Sequence, residues 1–213
     1  MQQSHSKPEA RPLVLSIHGI RTTGQWQDEL AESLDDAGFR HRPMNFGFFR
    51  AASLLLPWAR QGKVDWFLKE IEKKMDADGT PPSIIAHSFG TYILTKALEK
   101  QSLLRFDRII LCGSIVRCGY PWSTIVEGKQ VNYVLNEAGG KDFWCGLVGW
   151  VVSDAGPSGV EGFDEDADGR ILQLRHALHR HSDYFSELNY RKRWIPFLKG
   201  IAPKNHLSAR EAG

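Results

Sequence analysis

The pentapeptide Ala86-His87-Ser88-Phe89-Gly90 lies between the apolar run Ile84-Ile85 and a helix-like stretch at residues 91–98. A strand that turns into a helix within so few residues crowds its own backbone, so the positions two before and two after the apex must be small. Ala86 and Gly90 meet that demand, although glycine is the usual residue at the first position and one methyl group is near the limit of what fits. A serine at the apex is held out of the backbone, beside a base and oriented amide donors, which its hydroxyl needs to act as a nucleophile near neutral pH. Ser88 also stands where a helix-capping hydroxyl would stand. The strand before it and the helix after it favour the strained turn.

The rest of the chain alternates strands and helices, the pattern of a mostly parallel sheet with helices on both faces. Residues 13–17 form an apolar strand ended by His18-Gly19. Trp26, Leu30 and Leu34 recur at helical spacing, and Gly38 can close that helix in a left-handed cap. Residues 39–45 are an extended segment that Pro43 confines to an edge. Val64, Phe67, Leu68, Ile71 and Met75 mark one buried helical face, broken at residues 76–82. Further strands are expected at residues 83–86, 108–112, 131–135 and 170–174, and a last helix at residues 183–198 that Pro196 bends or ends. The expectation is one domain over residues 1–213, with an ordered core at about residues 11–200 and flexible tails.

Composition narrows the partners. A chain of 213 residues with 42% hydrophobic and 24% charged residues is an ordinary globular domain. Its net charge of +2 gives no reason to expect nucleic acid, and Arg191-Lys192-Arg193 reads as a solvated helical face. The polar N-terminal stretch lacks the apolar segment of a secretory signal, and nothing approaches the ~20 apolar residues of a membrane span. Cys112, Cys118 and Cys145 are an odd count without metal-type spacing, which favours reduced thiols and a cytoplasmic location.

Open parallel sheets carry their functional groups at the carboxyl ends of strands, so the partners of Ser88 are sought there. The base should be a histidine oriented by a carboxylate, in the chain order serine, acid, histidine. The turn-rich stretch at residues 136–142 ends in Asp142, the preferred acid, with Glu137 and Asp154 as competitors. Three histidines follow the last strand: His176, His179 and His181. His181, at the mouth of the final helix, is the preferred base. The oxyanion donors are expected to be the backbone N–H of Phe89 and one from the loop His18-Gly19-Ile20-Arg21, with Ile20 first and Arg21 next. His18 precedes the serine, and its expected role is to hold that loop.

Taken together, the His18-Gly19 loop, the 86–90 turn, Asp142 and His181 resemble the α/β-hydrolase superfamily, and most closely its small lipase-like serine esterases without a large cap. The resemblance covers roughly residues 13–198. It implies a Ser-His-Asp mechanism on an ester or related acyl bond, with a small-molecule ester or lipid as substrate, no cofactor and no catalytic metal. A non-catalytic, regulatory module of the same fold is the alternative from another class. The short stretch between the strands at 108–112 and 131–135 leaves no room for a helical lid. Substrate contacts are then expected from Gly19, Arg21, His87, Trp122 and Trp144, with the apolar segment at residues 143–152 as wall or flap, helped by Pro121 and the loop at residues 46–49. The acidic run at residues 164–169 begins like a calcium loop, but Arg175 replaces its bidentate glutamate, and it reads as a solvated turn.

Overall fold

A computed structural model of the chain describes residues 11–20, 25–47, 51–152 and 154–202. Six strands, β1 (Leu13–Ile17), β2 (Arg40–Met44), β3 (Ser83–His87), β4 (Phe106–Cys112), β5 (Val131–Gly139) and β6 (Ile171–His176), form one sheet in the order β2-β1-β3-β4-β5-β6, every pair parallel. β1 and β3 are buried along their whole lengths. That explains why they read as unbroken aliphatic runs: a central parallel strand is covered on both faces.

Alternation along the strands sorts the core into two layers. Leu13, Leu15, Ile17, Ile84, Ala86, Ile109 and Leu111 pack toward α2 (Pro57–Lys74) and α3 (Phe89–Lys100), which supply Val64, Phe67, Ile71, Ile93 and Leu94. Val14, Ile85, Ile110 and Cys112 point the other way, onto Trp26, Leu30 and Leu34 of α1 (Gln25–Asp36) and onto Trp194 and Phe197 of the final helical segment. Gly38 follows α1 with φ of 91°, and β2, with its Pro43, is an edge strand.

The chain leaves β1 toward β2 on one side and returns to β3 on the other. The crevice between the ends of β1 and β3 is therefore the point where the winding reverses, and ligands of open α/β sheets bind at such points. Ile17 pairs with Ala86 there, so the loop at residues 18–20 faces the turn at Ser88.

Two elements differ from the sequence expectation. β5 runs on to Gly139, so Asn136 and Glu137 are strand residues rather than a turn. Both are fully buried: the Asn136 amide nitrogen donates to the Ser158 carbonyl while its Oδ1 has no partner, and Glu137 accepts from His176, Asn189 and Trp194. The expected helix at residues 183–198 starts only at Glu187, where the Ser186 hydroxyl accepts from the Asn189 N–H. It consists of Glu187–Asn189, a π turn at Tyr190–Trp194 and Ile195–Leu198. Pro196 has no N–H to give to the α-helical ladder, and the chain widens into the π turn just ahead of it. His181 accordingly lies in a loop, not at the mouth of a helix.

Candidate active site

Ser88 sits between β3 and α3 with φ of 54° and ψ of −123°, a backbone conformation that costs an L-residue of order 1–3 kcal/mol. Its neighbours hold it there. The Ser88 N–H donates to the Cys112 carbonyl at 3.1 Å, and the Thr91 hydroxyl donates to the Ser88 carbonyl at 2.6 Å. A Cβ on Gly90 would lie 2.8 Å from the Ile17 carbonyl oxygen, and one on Gly19 would lie 2.7 Å from the Ser88 Cβ. Both positions are glycine because β1, its loop and the serine turn touch.

The Ser88 Oγ is 2.8 Å from Nε2 of His181. Nδ1 of the same ring is 2.8 Å from Oδ2 and 3.0 Å from Oδ1 of Asp142. Two loops bring these residues together, and backbone bonds lace them: Gly140 N–H to His176 O at 2.9 Å and Lys141 N–H to His179 O at 3.0 Å. Asp142 also caps α5 (Phe143–Val151), its Oδ1 accepting from the Cys145 N–H and its Oδ2 from the Cys145 thiol, each at 3.1 Å. Burial alone would push the Asp142 carboxyl up. The hydrogen bond and charge of His181, with the thiol and amide of Cys145, outweigh that and hold it below its ordinary value.

The competing acids and histidines are engaged elsewhere. Glu137 and His176 form their own buried pair at 2.9 Å. His179 stacks on His176 with ring centroids 4.1 Å apart. Asp154 accepts from Arg60 at 3.1 Å and from the Tyr92 hydroxyl at 2.6 Å. His18 is fully buried, its Nδ1 donating to the Gly19 carbonyl and its ring stacked on Phe46 at 4.3 Å, so it braces the loop.

A cavity of about 160 Å³ opens in front of Ser88, lined by Ile20, Leu54, Ser88, Ile115, Trp144, Val148 and His181. Trp144 and Val148 stand one helical turn apart on α5, which forms one wall. Two expected substrate contacts lie elsewhere. Trp122, at the start of α4 (Trp122–Glu127), is wholly buried against Tyr120 and Phe163 and is a core residue, its ring drawn inward by those aromatic edges. His87 is buried behind the serine, where its Nε2–H donates to the His181 carbonyl at 2.9 Å. Burial, aided by the nearby charge of His181, pushes the His87 imidazole down to about 3 and keeps it neutral. Arg21, Phe48 and Phe49 lie outside the described residues, as does the side chain of Trp150.

Sequence reasoning missed Leu54, Ile115 and Cys145. An aspartate just before an apolar helix is an N-cap signal, which points to the third helical residue, Cys145, as its partner. Leu54 comes from a short 3-10 helix (Ala51–Leu55) and Ile115 from a loop, neither with a periodicity to betray it. Among the described residues, Asp142, Cys145 and His181 are the one group of three metal-ligating side chains whose donor atoms all lie within 4.8 Å, and the acidic run at 164–169 forms none. There Glu165 accepts from the Ser123 N–H instead, at 2.8 Å. No described helix is long and apolar enough to cross a membrane.

No protein-family profile matches the sequence, and no curated protein matches it. Solved structures do match in shape. One is a protein assigned to the α/β superfamily of hydrolases from Xanthomonas campestris pv. campestris, 13% identical, with a TM-score of 0.56 over 90% of this chain and 100% of that one. A second is the thioesterase domain of the curacin biosynthetic pathway, 12% identical, with a TM-score of 0.56 over 82% and 87%. A third is the monoacylglycerol lipase of Paleococcus ferrophilus, 12% identical, with a TM-score of 0.53 over 88% and 94%. Identities this low speak for architecture and not for chemistry. By its all-parallel sheet, its helical layers and these likenesses, the chain has the α/β-hydrolase fold.

Proposed function

We propose that the protein is a serine hydrolase that cleaves carboxylic esters through an acyl-enzyme intermediate. The observation that carries this reading is the unbroken chain Ser88 Oγ, His181 Nε2, His181 Nδ1, Asp142 Oδ2, with 2.8 Å at each hydrogen bond. In this reading His181 takes the proton of Ser88 as Oγ attacks the acyl carbon, and Asp142 stabilises the imidazolium and fixes its tautomer. The carbonyl oxygen becomes an oxyanion. Its proposed donors are the N–H of Phe89, in the first turn of α3, and that of Ile20. His181 then protonates the leaving alcohol, and water repeats the sequence to free the acid.

The cavity of about 160 Å³ is smaller than the roughly 300–1,000 Å³ of drug-sized sites, and its walls are aliphatic and aromatic. Short and medium acyl groups fit it best. A second reading, a lipid ester as substrate, draws on the rim: Phe143 is 75% exposed, and Leu147 and Trp144 are also partly exposed on the helix that walls the cavity. Three free thiols suit a reducing compartment. A series of p-nitrophenyl esters of graded chain length tests the proposal. Turnover should peak at short or medium chains and vanish in Ser88→Ala. Turnover of no ester by the wild-type protein would leave the non-catalytic alternative.

A further inference from the structure

We infer that Asp142, Cys145 and His181 form an inhibitory site for Zn²⁺, at which the cation ligates the back of the proposed base and switches the serine off. The Cys145 Sγ lies 3.1 Å from Asp142 Oδ2 and 3.7 Å from His181 Nδ1, and Nδ1 lies 2.8 Å from Oδ2. Around a tetrahedral zinc with usual bond lengths, sulfur, nitrogen and oxygen ligands stand about 3.3–3.6 Å apart. Shifts of a few tenths of an ångström therefore turn three hydrogen-bonded atoms into three ligands. Thiolate, imidazole and carboxylate are also a donor set that zinc prefers and that magnesium or calcium does not. Two glycines pack directly against the two softer ligands. A Cβ on Gly113 would lie 3.1 Å from Nδ1, and one on Gly159 would lie 2.8 Å from Sγ. His181 borders the cavity in front of Ser88, and Asp142 borders a second depression with Gly140, Phe143 and Leu147.

The proton balance explains the inhibition. At rest Nδ1–H donates to Asp142, and the bare Nε2 accepts from Ser88. A cation on Nδ1 needs that lone pair, so the Nδ1 proton leaves and Nε2 takes one up, while Cys145 gives up its thiol proton. One proton is released overall. His181 now carries hydrogen on Nε2 and cannot accept from Ser88, so the nucleophile has no base.

The site does not depend on the hydrolase reading, and the test keeps the two apart. Cd²⁺ serves as the probe, because thiolate-to-cadmium charge transfer absorbs in the ultraviolet. The full chain carrying Ser88→Ala, and Cys118→Ala to remove the half-exposed thiol, is titrated with Cd²⁺. Absorption should saturate at one equivalent, release one proton per cation and reverse with EDTA. Adding Cys145→Ser should abolish the band, and adding His181→Ala should weaken Cd²⁺ affinity at least tenfold. In the chain with Ser88 intact, Zn²⁺ should suppress turnover over the concentration range in which it displaces Cd²⁺. No band in the Ser88→Ala/Cys118→Ala chain, a band that survives Cys145→Ser, or an affinity unmoved by His181→Ala would overturn the site. If Cys145→Ser does not fold, the His181→Ala arm, in a partly buried loop side chain, decides alone. An inactive protein that still binds Cd²⁺ in this way would refute the hydrolase reading and leave the site standing.

Discussion

Nε2 of His87 lies 2.9 Å from the carbonyl oxygen of His181, so the residue before the proposed nucleophile holds the backbone of the proposed base. A carbonyl only accepts, which puts the His87 proton on Nε2. The two rings also pack, with centroids 4.8 Å apart and Phe185 closing against His87 at the same distance. In the proposed mechanism His87 acts as a positioning residue rather than a substrate contact.

His87→Leu removes that bond while keeping bulk, and it should lower kcat about tenfold, the kinetic equivalent of one hydrogen bond's worth of order 1 kcal/mol. KM should change little, because the ring does not line the cavity. Glutamine carries its amide nitrogen near the position of Nε2, so His87→Gln should recover most of the rate. A rise in KM at constant kcat in His87→Leu would instead make His87 a substrate contact. Steady-state kinetics on one good ester decides.

The same burial makes the fold sensitive to acid. His87 is pushed down to about 3 and His41 to about 4, burial being the main cause in both. The unfolded chain takes up protons on both below about pH 6.5, while the folded chain does not. Their contribution is fully present above that pH and shrinks as pH falls, by about 1.4 kcal/mol per pH unit for each group. Urea unfolding should show a loss of about 2–4 kcal/mol between about pH 7 and about pH 5. His41→Gln should flatten that slope, since one of the two protons is gone. A flat stability profile over this range would contradict the account.

Trp144 and Trp122 separate the wall of the cavity from the core. Trp144 is 48% exposed at the cavity edge, whereas Trp122 is wholly buried. Trp144→Ala should change the chain-length preference in kcat/KM with little change in Tm. Trp122→Ala should cost about 3–5 kcal/mol of stability and leave the preference alone. The opposite pattern would return Trp122 to the substrate side.

Much of this architecture was legible because apolar periodicity and chain order carry it. β1, β3 and the second half of β4 are apolar runs buried on both faces, and Val64, Phe67 and Ile71 fall on one buried stripe of α2. The strained-turn motif picked Ser88, and chain order with position after the strands picked Asp142 and His181; the three stand within hydrogen-bonding distance in series. Polar burial was not legible. Asn136 and Glu137 resemble turn residues until their partners at Ser158, His176, Asn189 and Trp194 are seen, all from distant parts of the chain. Trp122 and Trp144 are alike as letters, and only tertiary packing tells which one faces the cavity.

The central claim is that Ser88 is an activated nucleophile, and covalent labelling with a fluorophosphonate probe tests it most directly. Only a serine with an adjacent base and oxyanion donors reacts, so one equivalent should be incorporated, and peptide mapping should place it on Ser88. Ser88→Ala and His181→Ala should each abolish labelling with the fold intact by circular dichroism. Labelling that persists in Ser88→Ala, or that maps to another serine, would contradict the account.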